Sequence, residues 1–170
     1  MEEIIRFQEN MLLIRRAVGW TAEELGSRIG VTRQTINNLE RNNREKFRLN
    51  KTQYIAIRSV LDAEITRYPD ETEALVLILD MLIDHPDHYK KEEKIVLLEK
   101  ANIISPSILT GTATRKAASK EIVAAMDGSL GKAFASGALA GIAGGSDEIA
   151  GTVIHKWLWN ITSVASQSFL

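Results

Sequence analysis

Cysteine is missing from all 170 residues, which excludes a disulfide framework and a thiolate metal site. Charge of one sign is lacking too: 21 Lys and Arg stand against 22 Asp and Glu, a net of −1. The longest apolar stretch, near residues 130–145, runs to about 16 residues, contains Lys132, and is short for a membrane span. No internal repeat and no strand-like alternation is evident. No nucleophile sits in a glycine elbow, so catalysis has no case and the chain is expected not to be an enzyme. The three prolines are sparse punctuation. Pro69 closes one segment and Pro86 another.

What remains is ordinary for a globular protein: 45% hydrophobic and 25% charged residues. The start, MEEIIRFQEN, is acidic and polar, unlike a signal peptide, and implies a cytoplasmic protein. The near-zero net charge hides a division. Residues 1–67 hold 12 basic and 9 acidic residues, and residues 68–170 hold 9 and 13. The sharpest excess lies in residues 28–58, with 8 basic and 2 acidic. Such a local basic stripe suits an anionic partner.

Apolar spacing predicts helices throughout. Ile4, Phe7, Met11, Ile14 and Ala17 form one stripe on a helix over roughly residues 3–18. Gly19 stops it. Thr21 and Glu24 fit a capping box for a helix over Ala22–Ile29. Gly30 suits a left-handed turn, and Thr32 caps a third helix reaching about Arg41. The stretch RNNREKFRLN reads as a loop and TQYIAIRSVLDAEI as a longer helix. Beyond Pro69, ETEALVLILDMLID is apolar around most of its circumference and should be buried. Residues 88–101 are amphipathic, SPSILTGTAT is loop-like at its start, and RKAASKEIVAAM is a further helix. Ser146 can cap a final helix whose stripe is Ile149, Val153, Trp157, Ile161 and Val164.

The stretch WTAEELGSRIGVTRQTINNLE carries the chemistry. Two short helices joined at a glycine make a helix-turn-helix. Leu25, Ile29, Val31, Ile36 and Leu39 supply its inner face, and Gly26 sits where the helices approach most closely. Arg33, Gln34, Thr35, Asn37 and Asn38 are left facing outward. Arginine can pair with guanine, and Asn or Gln with adenine, in the major groove. Thr21 and Thr32 head helices whose N-terminal amides can face phosphates. The bland alternatives are a helical hairpin inside some other bundle, or a scaffold that no longer binds DNA.

With those residues in view, residues 10–65 resemble the Cro-repressor type helix-turn-helix domain, the XRE family of bacterial and phage regulators. The VTRQTI run matches the start of its recognition helix. The resemblance implies an all-α, five-helix domain over residues 1–67. It places Arg33, Gln34 and Asn38 at base-reading positions with Thr35 nearby. Thr21 and the loop beginning Arg41, Asn42 and Asn43 fall at phosphate-contacting positions. Arg44, Lys46 and Lys51 lie in or beside that loop, where phosphates are the nearest targets. Two positions depart from the pattern: Ala22 replaces a phosphate-clamping glutamine, and Gly26 replaces an alanine.

The expected function is a DNA-binding transcription regulator, a repressor acting on double-stranded operator DNA as a homodimer. Residues 68–170 are expected to form a helical dimerisation or regulatory region, open to a protein partner or small-molecule effector. No cofactor or metal is expected. The Asp84–His88 stretch reads as a solvated loop rather than a metal site. Residues 130–145 admit three readings: a close-packed helix, a linker, or a membrane-associated hairpin. Two rivals follow: an antitoxin or mobile-element regulator with a protein partner, and a membrane-tethered regulator.

Overall fold

A computed structural model describes residues 1–41 and 43–126. The expectations for Asn42, for the Gly/Ala-rich segment and for the final apolar stripe lie outside the described residues. Within them the chain is helical, with no strand.

Helix α1 spans Glu2–Val18, with Glu2 and Glu3 in its first turn and Arg15 and Arg16 in its last, signs that suit the helix dipole. The chain reverses at Gly19, where φ is 80°, and the Trp20 N–H donates back to the Arg15 carbonyl at 3.1 Å. The expected stripe is buried from Phe7 onward, but Leu13 and Val18 are buried as well. The reason is tertiary. Helix α1 is touched by α3 and α4 and also by α5–α8, so it needs more than one apolar stripe.

Helices α2 (Ala22–Ile29) and α3 (Arg33–Glu40) follow, then α4 (Lys51–Arg67). Tyr54, Ile57 and Leu61 are the buried anchors of α4, while Ile55 and Val60 are only partly covered. The Phe7 and Tyr54 rings meet edge-on at 5.1 Å, a favoured aromatic geometry. A short 3-10 turn at Pro69–Glu71 leads into α5 (Glu73–Leu79).

Helix α5 continues into a π turn over Asp80–Asp84, closed by His85 N–H donating to the Asp80 carbonyl at 2.9 Å. Ala74, Leu75, Leu77, Ile78, Leu79, Met81, Leu82 and Ile83 are all buried. Burial of each large side chain contributes about 1.5–3 kcal/mol. A second 3-10 turn, Pro86–His88, delays α6 to Lys91–Ile104, later than the amphipathic pattern of 88–101 suggested. The segment expected to be loop-like at Ser105 instead opens on a short helix, α7 (Pro106–Leu109), because Ser105 stays in helical conformation and proline fits a first helical turn. Helix α8 covers Arg115–Ala124.

One apolar cluster runs from Phe7 to Met126, across residues 67 and 68 without a break. Polar ties cross it too. The nearly buried Arg58 holds Asp84 through two bonds of 2.8 and 3.0 Å. Burial opposes the Arg58 charge, but the Asp84 carboxylate, Tyr54 and Asp62 together outweigh that and hold its pKa above the usual arginine value. Arg115 on α8 reaches Glu64 at 2.5 Å, Glu71 at 2.8 Å and the Val18 carbonyl at 3.1 Å.

Candidate nucleic-acid interface

Both N-caps form as the sequence spacing predicts. Glu24 N–H donates to Thr21 Oγ1 at 3.1 Å, and Thr21 N–H donates to the Glu24 carboxylate at 2.6 Å. Thr35 N–H donates to Thr32 Oγ1 at 3.2 Å. Gly30 takes the left-handed conformation, φ 75°. Gly26 leaves no space: a Cβ placed there would lie 2.6 Å from the Val31 carbonyl oxygen and 3.2 Å from the Thr32 carbonyl carbon. Even the methyl group of an alanine therefore conflicts with backbone, which moves only with the turn.

Helix α3 is fastened inward by Ile36 and Leu39, both buried. Arg33 and Gln34 are exposed, and Thr35, Asn37 and Asn38 are half-buried. Gln34 Nε2 donates to Asn38 Oδ1 at 2.8 Å, so these amides hold one another one turn apart on the outer face. Thr21 and Thr32 are exposed at the heads of their helices. Arg41, Asn43, Arg44 and Lys46 are exposed in the segment after α3, and Lys51 is the first residue of α4. All the expected contact residues among those described thus lie on α3, at the caps that start α2 and α3, in the segment joining α3 to α4, and at the first residue of α4.

Three supports behind this surface escaped the sequence reading. Arg15 on α1 is nearly buried, and its guanidinium grips both Glu40 carboxylate oxygens, at 2.5 and 2.9 Å, and the Trp20 carbonyl at 2.8 Å. It ties the end of α3 to α1 and to the turn before α2. A charge in an apolar stripe was the signal, but its partner lies 25 residues away. Gln8 on α1, 4% exposed, bonds backbone groups of Leu39, Phe47 and Leu49. Asn50 forms a capping box with Gln53, Gln53 N–H to Asn50 Oδ1 being 2.8 Å. The last was legible, since Asn-Lys-Thr-Gln has the capping spacing.

The cations of this surface are not all unoccupied. Arg44 pairs with Glu9 at 2.9 Å, and Arg28 lies over the Trp20 ring at 4.1 Å. The exposed Arg44–Glu9 pair is of the weak surface kind, which leaves Arg44 able to exchange its carboxylate for a phosphate.

His85 Nδ1 lies 2.7 Å from Asp80 Oδ1, and the Tyr89 hydroxyl bonds the same carboxylate. The His85 ring stacks on His88 at 5.0 Å. Among the described residues no group of three His, Cys, Asp or Glu is placed to hold a metal ion. None of their helices is long and apolar enough to cross a membrane.

In comparison with known families, residues 12–50 fit the model described as Helix-turn-helix. No curated protein and no solved structure matches the chain.

Proposed function

We propose, from the premise that residues 12–50 are a Cro/C1-type helix-turn-helix of the XRE family, that this chain is a repressor occupying operator DNA as a dimer. The helix-turn-helix match supports a DNA-binding transcription regulator. One feature of α3 supports operator recognition. Among its apolar residues helix α3 buries Ile36 and Leu39, and it leaves Arg33 and Gln34 exposed with Thr35, Asn37 and Asn38 half-exposed beside them.

Arg33 and Gln34 open the helix, where side chains reach base edges most directly. Arg33 is suited to guanine, and Gln34 or Asn38 to adenine. Asn37 and Thr35 stand beside them. Thr21 and Thr32 offer the amides of two helix N-termini to phosphates. Arg41, Asn42, Asn43, Arg44, Lys46 and Lys51 supply positive charge or donors along the neighbouring backbone. Regulation is then steric: a chain seated on a promoter keeps polymerase away.

A dimer is proposed because one helix-turn-helix reads a short half-site, and two copies a helical turn apart supply the missing affinity. The stripe of Ile149, Val153, Trp157, Ile161 and Val164 is the proposed contributor to self-association. Replacing Trp157 and Ile161 with Asp should shift sedimentation toward monomer and weaken operator binding; a dimer of unchanged affinity removes that assignment. The test of the function is selection of bound sequences from a random duplex pool by the full chain. Enrichment of a two-fold symmetric site supports the reading, and a pool that stays random defeats it.

A further inference from the structure

We propose that Gln8 is a positioning residue for phosphate binding: it closes the base of the segment that carries Arg41, Asn43, Arg44 and Lys46, and so fixes where that segment meets the DNA backbone. The inference rests on the DNA-binding reading and extends it to a residue on α1, remote in sequence from the interface.

The geometry is specific. Gln8 Nε2 donates to the Leu39 carbonyl at 3.1 Å and to the Phe47 carbonyl at 2.7 Å. Its Oε1 accepts the Leu49 N–H at 2.9 Å. Bonding the carbonyl of one residue and the N–H two residues on is what the N–H and C=O of a single residue in a parallel strand would do. The side-chain amide stands in for a strand that the fold does not provide. Its second donor takes Leu39, one of the last carbonyls of α3, which a helix leaves without an internal partner.

One side chain therefore sets the distance between the end of the recognition helix and the returning chain at Phe47–Leu49. Before the chain returns at Phe47 it makes a local turn, with Lys46 and Phe47 N–H groups donating to the Asn43 carbonyl at 3.2 and 2.8 Å. Side chains on such a turn reach phosphates from a fixed distance only if its base is fixed. Glu9, the next residue of α1, holds Arg44 from outside, so one turn of α1 governs both the backbone of the segment and one of its cations.

A plain core role is the competing explanation, and the salt dependence of binding separates the two. A residue that only stabilises the fold changes the folded fraction; it leaves unchanged the number of phosphates a folded chain neutralises. The variant is Gln8→Met in the full chain, close in size and without the three hydrogen bonds. Binding to a random-sequence duplex and to a pool-selected duplex is titrated at several salt concentrations. The temperature is one at which the variant keeps wild-type circular dichroism.

The slope of log K against log salt should fall by about 1–2 units, each lost phosphate contact removing about 0.9. The ratio of affinities for the two duplexes should stay within about twofold, since α3 keeps its outward residues. If Gln8→Met does not fold, Gln8→Glu takes its place, retaining the shape and the acceptor for Leu49 while losing the amide donors. The same drop in slope is expected. A folded variant with the wild-type slope overturns the proposal for Gln8 and leaves the DNA-binding reading intact. A wild-type chain that binds no duplex overturns both.

Discussion

Helices α3 and α5 are nearly equal in length and opposite in use. Helix α3, RQTINNLE, buries Ile36 and Leu39. Helix α5, EALVLIL, buries Ala74, Leu75, Leu77, Ile78 and Leu79. The first is held from its ends and flanks: Thr32 caps its start, while Arg15 and Gln8 on α1 grip Glu40 and the Leu39 carbonyl at its end. The second is held by apolar contact on nearly every side. A helix secured at its termini keeps its outer side chains for another molecule, whereas a helix secured by its whole surface can serve only the interior.

That contrast can be broken by truncation. Leu77 is fully buried, so Leu77→Ala should destabilise the fold by about 2–5 kcal/mol. Chemical unfolding followed by the tryptophan signal measures it. Asn37→Ala on α3, run alongside, should shift stability by less than about 0.5 kcal/mol. Equal losses at the two positions would mean that α3 is as much a core element as α5.

The junction between α2 and α3 sharpens the comparison. Gly26→Ala places a methyl group against the Val31 carbonyl oxygen. The gain in helix propensity, about 1 kcal/mol, is outweighed by a clash with backbone, and overpacking costs about 1–3 kcal/mol. A net loss of stability of about 1 kcal/mol is expected in thermal melts. An alanine variant that melts higher than the parent would show that the helix pair opens freely.

Binding tests the outer face of α3. Arg33→Ala should weaken the pool-selected duplex by about 1–3 kcal/mol and relax preference at one base pair, a guanine being the expected partner, with little effect on random duplex. Equal weakening of both would make Arg33 a phosphate contact. The smallest effect belongs to Lys51, at the start of α4. Lys51→Ala should weaken every duplex alike and lower the salt slope by about one unit. An unchanged slope would remove Lys51 from the interface.

Much of this was readable along the chain because the causes were local. A cap needs residues three apart, so Thr21 with Glu24 and Thr32 with Thr35 declared themselves. Gly30 answers a dihedral requirement of its own residue. The outward set on α3 followed once Ile36 and Leu39 were assigned inward, since helical period alone divides the faces. The boundary errors had local causes too. The start of α6 and the helical start of α7 turned on 3-10 and proline geometry that apolar spacing does not encode.

Tertiary structure decided the rest. Nothing in the order of residues says that Arg15 would find Glu40, or that Arg58 would find Asp84 and Arg115 reach Glu64 and Glu71. Nor does Gln8, one polar residue beside an apolar stripe, announce bonds to Leu39, Phe47 and Leu49. Caps, turns and faces are set by neighbours a few positions away, and the chain carries those neighbours with it. A buried polar group is satisfied by whatever the folded backbone brings within about 3 Å, and that is fixed only when α3, α4 and α5–α8 have packed against α1.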